Sequence, residues 1–279
     1  MKKALHIFTV AAIAGLLLPA CGPKEKLDPV AEAIKKLQGN NFLSRRAAAK
    51  DLAKRVGKKD TAAVPVLIEA FDDPNLEIRR AAVQALGKIG DPRALGTLLK
   101  GIEDENDYIR YDAAMALGSY DQPRAHDALI KALMDQSSYV RWAAGKSLGE
   151  LKVEKAVPDL INMLQDRSSY AQTAAAEALG QIGKPETIPF LENSLYSRNL
   201  WVRNAAAHAL GLMGETMGIP ILIRNLKSMA GDRELTVRGQ AVEYLREITG
   251  QNFNFDPDAS TAQRAAAIEE WEAWWKNQQ

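Results

Sequence analysis

A repeat of 31 residues constrains this chain more than any other feature. Five segments align without a gap: EIRRAAVQALGKIG from Glu77, YIRYDAAMALGSYD from Tyr108, YVRWAAGKSLGELK from Tyr139, YAQTAAAEALGQIG from Tyr170 and WVRNAAAHALGLMG from Trp201, each starting 31 residues after the last. A looser copy begins at Thr236, 35 residues on, with the extra length around Gly231. Another precedes the series, with Arg45, Arg46, Ala47, Ala48 and Leu52 in the matching places. About seven units result, and a unit this short cannot bury an apolar face alone, so it has to stack on its neighbours.

The columns of the alignment read as helices. Asn41, Asn75, Asn106, Ser137, Ser168 and Asn199 stand four residues before the arginine column, and their side chains are of the kind that accepts the orphan N–H groups of a helix start. Ala82, Ala113, Ala144, Ala175 and Ala206, each followed four positions later by a leucine (Leu86, Leu117, Leu148, Leu179, Leu210), form a buried stripe at helical spacing. Gly90, Gly183 and Gly214 suit the left-handed residue that ends a helix. Gly87, Gly118, Gly149, Gly180 and Gly211 fall inside the helical run, where glycine costs about 1 kcal/mol against alanine. Their repetition predicts a close helix approach in every unit.

Between these helices lies a second, more hydrophobic one, with Pro65, Pro158, Pro189 and Pro220 placed for a first turn, where proline's missing N–H has no helical partner to lose. Each unit is therefore a helical hairpin, and the fold class is all-α: an α-α superhelix, or solenoid, over residues 28–250. Residues 251–279 differ. After the loop Asn252 to Pro257, Ser260-Thr261-Ala262-Gln263 has capping-box form and Ile268, Trp271 and Trp275 share one face of the following helix. A cap over the last open repeat is expected, with partner binding by Trp271, Trp274 and Trp275 the alternative.

The motif Val140-Arg141-x-x-Ala144-x-x-x-Leu148-Gly149, preceded by Asp135, resembles HEAT repeats of the short bacterial, phycobilisome-lyase-like type, over roughly residues 40 to 250. The resemblance implies a solenoid whose second helices line the concave face. It also implies that the aspartates (Asp73, Asp104, Asp135, Asp166, Asp232) and arginines (Arg79, Arg110, Arg141, Arg203, Arg238) form a hydrogen-bond ladder between adjacent repeats. It is specific for fold and nearly silent on function.

The N-terminus reads as an export signal over residues 1–20. Lys2 and Lys3 precede an apolar run from Ile7 to Leu18 that is too short to span a bilayer. Leu18-Pro19-Ala20-Cys21 resembles the lipobox of bacterial lipoproteins, which implies cleavage before Cys21 and a diacylglycerol on its sulfur. Cys21 is the only cysteine, so it has no intramolecular disulfide partner. Residues 21–27 are then a lipidated cysteine and short linker. The anchor implies a cell-envelope location, and Gly22 rather than Asp resembles proteins sent to the outer membrane, facing the periplasm, where the host has one. Net charge is +1, against a general nucleic-acid binder. Eleven Lys/Arg against five Asp/Glu between Gly22 and Asp60 leave that end basic, either to lie on anionic head groups or as an ordinary solvated first repeat.

Catalytic chemistry is sparse. His126 and His208 lie in different repeats and no His-Glu pair of the deoxyhypusine hydroxylase kind occurs. His208, in a helix of alanines, reads as a surface histidine rather than a ligand. No phosphate loop or Ser-His-Asp set appears, so no enzyme, cofactor or metal is expected, with a phycobilin lyase-like or hydroxylase-like enzyme as the alternative. What remains is surface. At 100° per residue, the positions two before and one after the arginine point away from the alanine-leucine stripe. They hold Tyr108, Tyr111, Tyr139, Trp142, Tyr170 and Trp201. Either they line a groove for a protein or peptide partner, as stiff aromatic area does, or they pack against the next hairpin. The expected function is that of a membrane-anchored, monomeric scaffold.

Overall fold

The computed structural model describes residues 28–228 and 232–279, and of 232–236 only the backbone. The export segment, Cys21 with its linker through Leu27, Gly231 and the Asp232 side chain thus lie outside the described residues. Seven antiparallel helix pairs follow one another: α1 (Pro29–Leu37) with α2 (Phe42–Arg55), α3 (Val64–Ala70) with α4 (Leu76–Ile89), α5 (Leu95–Gly101) with α6 (Asp107–Leu117), α7 (Pro123–Ala132) with α8 (Ser138–Glu150), α9 (Val157–Met163) with α10 (Ser169–Ile182), α11 (Ile188–Ser194) with α12 (Leu200–Leu212), and α13 (Ile219–Asn225) with α14 (Asp232–Thr249). A last helix, α15 (Thr261–Lys276), follows the loop, and no strand occurs among the described residues. The fold is an all-α solenoid.

Local chemistry sets the boundaries. The side chains of Asn41, Asn75, Asn106 and Asn199 accept backbone N–H groups at the starts of α2, α4, α6 and α12. Ser137 and Ser168 occupy the same position with extended backbone, but their side chains make no capping bond. The aspartate two residues earlier accepts the cap residue's N–H whichever type stands there, at Asn75 (2.9 Å), Asn106, Ser137 and Ser168 (2.8 Å each). Gly90 and Gly183 end α4 and α10 at φ 67° and 72°, in the left-handed region.

The glycine column explains how the units stack. A Cβ on Gly87 would stand 2.6 Å from the Ala116 Cβ, one on Gly149 2.7 Å from the Ala178 Cα, and one on Gly180 2.6 Å from the Ala209 Cα. Each glycine therefore lets the next second helix approach backbone to backbone. The second helices pack directly on one another through the series, whereas successive first helices touch sparsely. The more closely spaced layer is the inner one of a curved stack, so α2, α4, α6, α8, α10, α12 and α14 form the concave wall. The Ala-Leu stripe, from Leu52 through Leu86, Leu117, Leu148, Leu179 and Leu210 to Leu245, is buried between the two layers.

The ladder is present, with gaps. Arg110 donates to both carboxylate oxygens of Asp135 (2.8 and 2.9 Å) and to the Asp104 and Glu105 carbonyls. Arg141 treats Asp166, Asp135 and Gln136 in the same way. Each arginine thus ties its own turn to the next repeat with charge-assisted bonds, and Asp135 raises the Arg110 guanidinium above its ordinary pKa. Arg45 bonds Asp73 at 3.0 Å. Arg79 reaches only the Asp73 and Pro74 carbonyls and makes no bond to Asp104. Gln172 stands in the arginine position of α10 and keeps the carbonyl half alone, bonding the Asp166 oxygen at 2.8 Å.

The tail folds back on the last pair. The reciprocal Ser260–Gln263 capping box starts α15. Trp271 is fully buried and meets Phe253 edge-on at 4.7 Å. Arg238 and Arg246 bind the Pro257 and Phe255 carbonyls, and Lys227 pairs with Glu272.

Candidate functional site

The inner wall carries the expected aromatic residues in two rows that behave differently. Tyr108, Tyr139 and Tyr170 form the first, in the first turn of α6, α8 and α10, and are 56%, 60% and 62% exposed. The rings of Tyr139 and Tyr170 lie 6.1 Å apart, tilted by 34°. Trp201 continues this row on α12 but is half-buried. The second row is Tyr111 and Trp142, both half-buried and stacked on each other at 6.2 Å and 13°. One row therefore offers more than half of its surface to solvent, while the other is half-buried and also holds adjacent repeats together. Three residues apart on one helix, Tyr139 and Trp142 are surface neighbours.

Charged groups frame the aromatic stretch. On its N-terminal side Arg80 bonds Asp112 at 2.7 Å and sits 4.9 Å from the Tyr108 ring centre. Farther out Glu77 accepts from Arg46 at 2.7 Å and pairs with Lys50 at 2.5 Å, and these bonds hold its carboxyl at about 2.

On the C-terminal side stands a polar cluster that the sequence reading missed. His208 is 9% exposed, not a surface histidine. Its ring lies 3.8 Å from that of Tyr244 at 5°, and its Nε2 is 3.0 Å from a Glu247 oxygen. The Tyr244 hydroxyl donates to Glu177 at 2.8 Å and accepts from Gln240. Beneath these, Asn225 donates to Asn204, which donates to the Val237 carbonyl, all within buried surroundings. Burial pushes the His208 pKa down, against the opposing pull of Glu247, and pushes Glu177 and Tyr244 up. The signal for this cluster was a broken column. Where earlier copies carry Ala85, Ala116, Ser147, Ala178 and Ala209, the last carries Tyr244.

Among the described residues no group of three His, Cys, Asp or Glu side chains is placed to hold a metal ion. No described helix is long and apolar enough to cross a membrane.

The family model for HEAT repeats matches residues 27–118, 95–169, 126–211 and 157–246, most of the chain. This chain is a HEAT-repeat protein. No curated protein matches it in sequence. Among solved structures, the CpcE–CpcF complex of phycocyanin lyase from Nostoc sp. PCC7120 is similar, at 27% identity over 92% of this chain and 98% of that one, with a TM-score of 0.54. A designed armadillo repeat protein in complex with the peptide (KR)4 is similar at 19% identity, 67% and 100% coverage and a TM-score of 0.52. The Escherichia coli protein YibA follows at 20%, 87% and 92%, and 0.51. The last two likenesses concern the fold alone.

Proposed function

We propose that this HEAT-repeat protein is a scaffold held at a cell-envelope membrane by lipid on Cys21, binding a protein or peptide along its inner wall and catalysing no reaction. The observation that carries the binding half is the row Tyr108, Tyr139 and Tyr170, three large rings left open on consecutive repeats of the inner layer. Exposed aromatic area aligned at a fixed spacing suits an extended partner, because rigid rings lose little entropy on contact. Trp142, stacked on Tyr111 beside that row, is its anchor. Leu18-Pro19-Ala20-Cys21 supports the anchoring half, and Gly22 an outer-membrane site facing the periplasm.

Crosslinking and pulldown from native envelopes tests the binding half. Trp142→Ala is expected to lose most of the captured partner, since a central aromatic anchor contributes about 2 kcal/mol or more, about thirtyfold in affinity. The melting temperature should fall only by the share of a half-buried ring stacked on Tyr111. Unchanged capture by a stable Trp142→Ala protein overturns the groove, and a large loss of stability assigns the ring to packing instead. For the anchor, Cys21→Ser should leave unprocessed precursor without lipid; mature, membrane-bound protein from that variant, with no lipid on the wild type, rules it out.

A second reading, an enzyme of the lyase kind, is favoured by the likeness to CpcE–CpcF. Retention of a bilin chromophore by the purified protein, read by visible absorbance, would favour it over the scaffold.

A further inference from the structure

The inner wall is electrically polarised along the stack, and this selects the partner. Over α2 and α4 the inner-face cations are Arg46, Lys50, Lys54, Arg80 and Lys88. Two carboxylates answer them. Glu77 is shared by Arg46 and Lys50, so one positive charge is left over, and Asp112 of α6 neutralises Arg80. Lys54 and Lys88 are exposed, and the Lys88 ammonium donates to the neutral Ala53 carbonyl.

The opposite sign prevails at the other end. Lys146 pairs with Glu150, and Arg246 with Glu243 at 2.6 Å. That leaves Glu177, bonded to a tyrosine hydroxyl, and Glu247, bonded to a histidine that burial disfavours as a cation. Between the two ends lie the open rings of Tyr108, Tyr139 and Tyr170. A basic, an aromatic and an acidic zone thus follow one another along one face.

We infer that the partner is an extended peptide segment of matching polarity: acidic residues over α2 and α4, an apolar centre on the tyrosine row, and basic residues over α10 to α14. This rests on the inner wall being the binding face and adds which end of the partner lies where. Complementary charge fixes register and rejects the reversed alignment, which places like charges together at both ends. A uniformly basic or uniformly acidic segment meets repulsion at one end.

Two synthetic peptides test this, with one composition and one apolar centre. In the first, glutamates sit at one end and lysines at the other; in the second the same charges are interleaved. The blocked peptide should bind the purified protein roughly tenfold more tightly at low salt, and the advantage should shrink as added salt screens it. A photocrosslinker at its glutamate end should label residues 42–89, and one at its lysine end residues 169–249. Lys50→Glu combined with Lys54→Glu should abolish the preference for the blocked peptide over the interleaved one. Equal affinity of the two peptides, or crosslinks at the opposite ends, overturns the polarity and leaves the groove standing if Trp142→Ala still weakens both. Failure of both peptides to bind overturns polarity and groove together.

Discussion

Single residues matter here chiefly through how close two backbones come. Gly180 shows it, because alanine there has two opposite effects. Helix propensity alone favours alanine by about 1 kcal/mol. The added Cβ, however, would fall 2.6 Å from both the Cα and Cβ of Ala209, and backbone cannot move aside as a long side chain would. Overpacking of that kind costs about 1–3 kcal/mol, so Gly180→Ala should lower stability in a urea melt. Gly239 in α14 is the control, since its nearest neighbour would be the Pro257 ring at 3.9 Å. Gly239→Ala should be neutral or stabilise by up to about 1 kcal/mol. A stabilised Gly180→Ala protein would mean the helices are less tightly apposed than described. The glycine column was legible because a costly residue recurred at a fixed place in five consecutive copies. His208 was not, because its partners Tyr244 and Glu247 lie far along the chain and Glu177 acts through Tyr244. Nothing adjacent to it distinguished a surface histidine from a buried one.

At the scale of elements, α14 is attached unlike its predecessors. The other second helices meet mainly through glycine and small residues, with the ion pairs Arg46–Glu77 and Arg80–Asp112 added between the first three. α14 places Tyr244 between itself and α12, and the contact runs through His208, Glu247, Gln240 and Glu177. This makes its docking depend on pH, with a sign that follows from burial. The folded-state pKa of His208 lies below its ordinary 6.5, so protons bind the open form more readily. Stability is complete above about 6.5 and is lost as pH falls below it, by about 1.4 kcal/mol per pH unit until the folded pKa is reached. Glu177 works in the opposite sense, its raised pKa favouring the docked form at lower pH. The protection factors of the α14 amides, taken against the intrinsic exchange rate at each pH, should therefore fall between pH 7 and pH 5.5, and His208→Gln should remove that fall. Persistence of the same pH response in His208→Gln would assign it to another group. The sequence located α14 through its arginine and leucine columns. Its polar attachment was harder to read, because the residue that builds it is a single tyrosine, Tyr244, in a column of small residues.

For the molecule as a whole, a stack of hairpins that touch only their neighbours has nearly local stability. The C-terminal cap is the place to measure it. α15 closes the last pair with the fully buried Trp271 set against Phe253, while Lys227 and Glu272 join α15 to the end of α13. The repeat pattern stops at Gly250, and the apolar face of Ile268 and Trp271 together with a capping box made this closure readable in advance. Trp274 and Trp275 were harder to assign, since both lie half-buried at the rim. Removing a buried tryptophan side chain costs about 3–5 kcal/mol. In a fully cooperative domain Trp271→Ala would weaken protection everywhere by that amount. In a nearest-neighbour array the loss stays close to its source: α13 and α14 should exchange faster, while α4, α6 and α8, three or more repeats away, keep wild-type protection. The aromatic row on α6 and α8 should then keep its geometry, even as the C-terminal end frays. Uniform loss of protection across all seven pairs would show that the solenoid folds as one unit, and the charge at its two ends would then be coupled through the fold as well as through the partner.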